Sequence, residues 1–318
     1  MRTLERLIRY STASLILLSA FGAVALAQTP LRLPRPSQKA SVMQTVGVTD
    51  VTIIYSRPGV KGRKIWGDPP ASAAAGSATL DDARARPKDA PIVPFGHVWR
   101  TGANEATMFE VSDGVLINGQ PLAAGRYSLH SIPTKDGDWT IIFNSDAGQW
   151  GSFQYDEKKD VLRVKAKPQM VADNQEWLEY SIDPVADSSA QVNIRWEKVS
   201  IPFTVEVKDV KALTIEKARV SLAAAKPDDW QSRLGAANFA LQNKLNTEEA
   251  MQWLDQSIKI KENFNNVGLK ARALAEQGKT AEAIAAGEKA IQLGKAANAN
   301  AQALAEMEKR VAEWKSKA

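Results

Sequence analysis

From Ala40 to Val207, apolar and polar positions alternate in short runs. Ala190, Val192, Ile194 and Trp196 alternate with Gln191, Asn193, Arg195 and Glu197. Ile201, Phe203, Val205 and Val207 alternate with Pro202, Thr204 and Glu206. Trp139, Ile141 and Phe143 alternate more loosely with Thr140, Ile142 and Asn144. A period of two with one apolar face predicts strands that bury one side and wet the other. Asp113-Gly114, Asn118-Gly119 and Asp136-Gly137 punctuate these runs. Asn-Gly supplies the two positive-φ positions of a tight hairpin turn. Roughly nine strands, with no helical period between most of them, predict an antiparallel β-sandwich, a closed barrel being the alternative.

Past Lys208 the period changes, and Ala, Leu, Gln, Glu and Lys, all good helix formers, take over. Asp228-Asp229 places acids at a helix start, where they suit the helix dipole. Thr247-Glu248-Glu249 and Thr280-Ala281-Glu282 each read as an N-cap followed by acids. Glu249-Ala250 with Leu254 and Ile258 recurs as Glu282-Ala283 with Gly287 and Ile291, an offset of 33 residues. That is close to the roughly 34 residues of a tetratricopeptide repeat. Gly278, Ala283 and Ala290 fit the small positions of such a repeat; the first copy has Leu245 and Ser257 at two of them. The pattern predicts two degenerate tetratricopeptide-like repeats near 229–262 and 263–295, with a final helix near 299–317 as cap. An unrelated array of helical hairpins is the alternative.

Two stretches stand outside these periods. Arg2, Arg6 and Arg9 precede an apolar run from Ser14 to Leu26, and Ala25-Leu26-Ala27 has the small-x-small form of a signal peptidase site. This predicts export to the periplasm or beyond by general secretion, with cleavage after Ala27 and no stable membrane span afterwards. Gln28 to Gln38 reads as an extended lead-in. Gly67 to Pro91 reads as a low-complexity insertion, either disordered or a lid. The expected organisation is a signal peptide at 1–27, a lead-in at 28–38, a β-sandwich domain at 39–208 interrupted at 67–91, and a helical repeat domain at 209–318.

Composition narrows the function. The chain has no cysteine, which excludes lipid anchoring, disulfides and thiolate metal sites. Its 41 basic and 36 acidic residues fall to 38 and 35 when the signal leaves with three arginines and one glutamate, a net charge of +3. That interspersed charge argues against nucleic acid as a partner.

Polar residues are dense in two blocks that read as loops, Tyr55-Ser56-Arg57-Pro58-Gly59-Val60-Lys61-Gly62-Arg63-Lys64-Ile65-Trp66-Gly67 and Trp99-Arg100-Thr101-Gly102-Ala103-Asn104-Glu105. With VPFGHVWRTGANEAT, AAGRYSLHSIP, WTIIFN and GQWG, they resemble an exported bacterial family catalogued as domain of unknown function 2911, over about 38–207. The insertion at 67–91 departs from the family pattern, which has a much shorter link there. The resemblance implies no particular activity and no catalytic residues.

Read by themselves, Arg57, Arg63, Arg100, Thr101, Asn104 and Glu105 could converge at one end of the sandwich. Arg offers a planar fork of donors to a carboxylate or phosphate. Trp66, Trp99 and Trp150 lie beside glycines or polar loops, where an exposed indole could meet the apolar face of a sugar. These nine residues are the candidate ligand site for a small polar or carbohydrate ligand. The same polar groups could instead tie loops to the sandwich by mutual hydrogen bonds, and the indoles could plug its end. The two histidines, His97 and His130, would need a carboxylate to make a zinc site. The sequence contains no HExxH, GxSxG or Walker-type lysine loop, and no cofactor or metal is expected. The expected function is therefore a non-catalytic binding or scaffolding module whose repeats hold a protein or peptide partner. The alternative is a cell-envelope hydrolase of glycans or peptides using Glu105 and Asp146, with Arg100 as an electrostatic clamp.

Overall fold

The computed structural model describes residues 33–69 and 90–317. The expected signal peptide and most of the low-complexity insertion lie outside them. Twelve strands are found among the described residues: β1 (Gln38–Val46), β2 (Thr49–Arg57), β3 (Trp66–Gly67), β4 (Val93–Pro94), β5 (Thr107–Val111), β6 (Val115–Ile117), β7 (Gln120–Leu122), β8 (Gly125–Ile132), β9 (Trp139–Asn144), β10 (Asp160–Ala166), β11 (Gln169–Ala186) and β12 (Ser189–Glu206). The expectation of nine was low because β3, β4, β6 and β7 hold only two or three residues each, too few to show a period.

Two sheets face each other across one core. The larger has the order β1-β2-β5-β8-β9-β10 and the smaller β11-β12-β6-β7. The ladders within both are antiparallel, while β3 and β4 form a small parallel pair. The alternating residues meet as the sequence pattern requires. Ala190, Val192, Ile194 and Trp196 are buried, and so are Ile201, Phe203, Val205 and Val207. Up to Glu206 these two runs belong to one strand, β12. Between Trp196 and Ile201 the inward phase moves from even to odd positions, and Glu197 takes up the extra residue at φ +53°. A one-residue slip of this kind moves every later side chain to the opposite face. Asn118 and Gly119 turn β6 into β7 at φ +46° and +79°.

Ile142 is fully buried although it faces away from the sandwich core, because the connection 145–159 folds back over that face of β8 and β9.

Six helices follow: α1 (Val210–Ala223), α2 (Trp230–Gln242), α3 (Thr247–Ile260), α4 (Phe264–Glu276), α5 (Thr280–Ala296) and α6 (Ala301–Lys317). Asp209, Asp229, Asn246 and Asn263 cap α1 to α4 through their side chains. The caps expected at Thr247 and Thr280 sit one residue earlier, at Asn246 and Lys279. Asn246 binds the Glu249 N–H, leaving Thr247 as the first helical residue, and Lys279 makes no side-chain cap bond. Small residues set the helix spacing. Ala283 and Ala290 are fully buried, and a Cβ on Gly287 would overlap Val311 of α6. No helix among the described residues is long and apolar enough to cross a membrane.

The described residues from Lys39 onward form one compact unit. Val210 and Leu213 of α1 pack on the sandwich core, with Val210 against Gly47. Beside them Lys217 reaches Asp113, at 2.8 Å. Burial pushes the Asp113 carboxyl up, but bonds from Lys217 and Ser112 outweigh it and leave the group below its ordinary value. A carboxyl lowered in the folded state stabilises the fold above its unfolded pKa, about 3.9, and loses that contribution as pH falls through the folded value. Asp113→Asn should therefore lower stability by about 1 kcal/mol or less at pH 7. The difference from wild type should vanish near pH 2. Thermal melts at both pH values check this, and an undiminished difference in acid would remove the ion pair as its cause.

Candidate functional site

The block 99–105 follows β4 and runs from β8 to the connection 145–159, bridging Ser131 at one end and Trp150 at the other. Its backbone is pinned to β8 by reciprocal bonds between Trp99 and Ser131, at 2.8 and 2.9 Å. The Trp99 indole donates to the Gly102 carbonyl. Thr101 is fully buried at φ +52°, and its hydroxyl lies 3.2 Å from Ser131 Oγ. Its carbonyl accepts from Thr107 Oγ1 at 2.9 Å and from the Tyr180 hydroxyl at 2.8 Å. A non-glycine residue in the left-handed region is held there by such surrounding bonds. Gly102 is required by close approach, since a Cβ there would come within 2.7 Å of Thr107 Oγ1.

Arg100 is only 7% exposed. Its Nη1 donates to the Asn104 carbonyl at 2.6 Å, and its guanidinium lies 5.3 Å from the Phe153 ring centroid. The Asn104 carbonyl also accepts from the Gly151 N–H, and Glu105 bridges to Trp150. Arg100, Asn104, Glu105 and Trp150 thus lie together, against the connection 145–159. Glu105 lines a cleft of about 170 Å³ with Lys39, Tyr55, Ser56 and Gly148. That is well below the roughly 300–1,000 Å³ of ordinary ligand pockets.

Arg57 and Arg63 lie in a second group, against β11. Arg57 Nε donates to the Leu178 carbonyl at 2.8 Å, and Arg63 donates to the carbonyls of Gly59 and Val60 within its own loop. Thr101, Tyr55 and Tyr180 join this side of the sandwich to the first group. Trp66 and Trp99 belong to a third place, where Trp99 is buried in the core and the partly buried Trp66 packs against it. Trp66 meets Trp99, Trp139 and Trp196 edge-on at 5.6, 5.0 and 5.7 Å, and Trp99 stacks on Trp196 at 5.8 Å. Trp150, by contrast, is 52% exposed. The nine candidate residues therefore occupy three neighbourhoods.

A buried polar cluster that the sequence did not assemble lies under the connection 145–159. His130 Nε2 lies 3.0 Å from Ser128 Oγ, to which Gln149 also donates, and the His130 ring packs 5.1 Å from Tyr155. Asp160 accepts from Asn144, Tyr155 and Arg163 at 2.8, 2.6 and 2.7 Å. The available signal was the alternation of Ser128 with His130 on one strand face. Burial, then the bond to Asp160, raises the Tyr155 hydroxyl well above its ordinary value. Asp146 is held by Lys159 at 2.8 Å, which lowers its carboxyl. Among the described residues no three histidine, cysteine, aspartate or glutamate side chains are grouped to hold a metal ion.

The helices carry the larger hollows. Two adjoining ones, of about 430 and 230 Å³, share Asn238 of α2 with Leu269 and Arg272 of α4. The first extends to Trp230, beside which Lys261 Nζ lies 5.6 Å from the ring centroid; the second extends to Glu276 and Arg310 of α6. Together they make a groove across alternate helices, α2, α4 and α6. Helices joined in hairpins alternate between two layers, so every second helix can line one surface. Arg272 is half-buried there, and its Nε finds no acceptor among the described residues. Burial and then the neighbouring Arg310 pull its guanidinium below the ordinary value, while Glu276 works the other way.

No curated protein and no solved structure matches the chain. The family model described as protein of unknown function (DUF2911) matches residues 37–205, which hold nearly the whole sandwich. Over more than half its length, then, the chain belongs to the DUF2911 family.

Proposed function

We propose that the protein is an exported, non-catalytic binding module, in which tetratricopeptide-like helical hairpins hold a peptide or protein partner and the sandwich is a rigid support. The observation that carries this reading is the groove across α2, α4 and α6, continuous through Asn238, Leu269 and Arg272. It offers an apolar base, amides suited to a peptide backbone, and cations. Repeat arrays commonly bind through a surface of this kind. Export rests on the N-terminal charge and apolar pattern, and would leave Gln28 as the first residue of the mature protein.

The hydrolase reading has less support. Arg100 is engaged with Asn104 and Phe153, and Asp146 with Lys159. A catalytic carboxylate pair calls for an open cleft and one carboxyl held above its ordinary range. A small polar ligand beside Glu105 is the weaker use of the sandwich, because the cleft there is small.

Site-specific photocrosslinking in the expressing cell tests the reading. A benzoylphenylalanine at Gln231, which lines the groove, should capture a discrete partner. The same probe at the exposed Gln292 of α5, outside the groove, should not. Equal labelling from both positions, or from neither, would remove the groove as a binding surface.

A further inference from the structure

The Nε of Arg272 is a buried donor without an acceptor among the described residues. Leaving such a donor unmade is costly, and more so when it carries charge. The second guanidinium, Arg310, paired with Glu306 at 3.0 Å on its own helix, still adds repulsion across the same groove. Neither feature helps the helices fold. The repulsion, and the partly desolvated charge of the Arg272 guanidinium, are relieved if something negative enters. Around Arg272 the groove offers Asn238 and Asn265 as amide donors and acceptors, with Leu234 and Leu269 as apolar floor. Lys261 stands at the Trp230 end. Among the described residues, the only carboxylate lining either hollow is Glu276, in the smaller one. A planar guanidinium binds a carboxylate through two parallel bonds, which matches one anionic group flanked by apolar side chains. A polyphosphate or nucleic acid backbone would place further anions beside Glu276 and would leave the leucines unused.

Resting on the binding reading above, we propose that the groove takes an acidic peptide segment, with one carboxylate held by Arg272, Arg310 as the flanking cation, and apolar neighbours on Leu234 and Leu269. Arg272 is then a binding residue kept at the expense of stability, as functional groups often are. The charge complementarity also makes the interaction salt-sensitive.

The test uses the whole protein and fluorescent random dodecapeptides in four sets: acidic, the same peptides with Asn and Gln in place of Asp and Glu, basic, and acidic with the C-terminus amidated. Binding is read by polarisation, with inorganic phosphate as a competitor. Acidic peptides should bind, and their amide counterparts should bind about ten- to a hundredfold more weakly. Arg272→Met should lose affinity by the same factor, and Arg219→Met, which removes an equal charge elsewhere, should not. Amidation separates a terminal carboxylate from a side-chain one, and either supports the assignment. Arg272→Met should also leave the Tm unchanged or raised, which a structural arginine would not do. If Arg272→Met fails to fold, the structural role is established and the proposal is overturned. Binding without preference for acid, preference for basic peptides, displacement by phosphate, or full affinity in Arg272→Met would overturn the acidic ligand while leaving the groove as a binding surface. Failure of every peptide set to bind would overturn both.

Discussion

Trp196→Ala is expected to lower the Tm of the sandwich by about 6–20 °C. The side chain is 1% exposed and sits where Trp66 and Trp99 converge. Truncating a buried Trp costs about 3–5 kcal/mol, because the cavity left behind collapses only in part. In a domain of this size each kcal/mol moves the Tm by about 2–4 °C. The neighbours here are large planar rings from separate segments, Trp66 on β3 and Trp99 beside β8, with Trp139 of β9 behind Trp66, and they cannot close on the void without moving their own segments. Trp196→Phe should lose much less. The Trp196 Nε1 is buried and has no hydrogen-bond partner among the described residues, so phenylalanine gives up area but no bond. Calorimetry on the two variants checks both statements. A loss of only about 2 °C in Trp196→Ala would mean that the indoles pack more loosely than their geometry indicates.

The second large effect is expected at Asp160. Its side chain is 7% exposed and accepts from Asn144, Tyr155 and Arg163 at once. Asn144 is fully buried, and the Tyr155 hydroxyl, protonated at neutral pH like any tyrosine, is raised further by burial and by Asp160. Asp160→Ala strands two of these donors, each at about 1–3 kcal/mol, while Arg163 can turn to water. The predicted loss is about 3 kcal/mol, concentrated in the connection 145–159. Hydrogen exchange should show that connection opening before the sandwich does, with Asp160→Asn intermediate between wild type and Asp160→Ala. The connection also carries Gly151 and Phe153, which pack on Arg100, so the polar block at 99–105 should loosen with it. Unchanged exchange across 145–159 would show that the connection is held by other contacts.

The two effects locate the rigidity of the sandwich. One face of β8 and β9 is held by aromatic packing in the core, and the opposite face by a buried polar network under a long connection. The groove among the helices is built on a different principle. It keeps a half-buried arginine where a well-packed apolar residue would serve stability better.

Much of this was legible along the chain. The alternation at 190–196 and 201–207 picked out residues that are buried along and just past β12, because side-chain direction in a strand follows position parity, and Asn118-Gly119 marked the β6–β7 turn. The change of period after Lys208 located the helices, and Ala283 and Ala290 marked close helix contacts. The helix starts at 247 and 280 were missed by one residue, since Asn246 and Lys279 offered no apolar period to anchor the boundary.

The candidate site was less legible. That Arg57 bonds to β11 while Arg100 and Asn104 bond against residues 151–153 depends on which segments become neighbours. The phase switch at Glu197 was hidden because both halves of β12 looked like complete strands.

The sequence by itself determined the class of each region, its inward faces and its membership of a family, because these depend on local periods and motifs. Only the tertiary structure decided that Trp66 and Trp99 join one aromatic cluster, and that Ser128, His130 and Gln149 share a buried site. Only it brought Asn238, Arg272 and Arg310 to one groove. Each of those groupings joins residues far apart in the chain, and their meeting is fixed by the pairing of strands and the stacking of hairpins rather than by any local pattern.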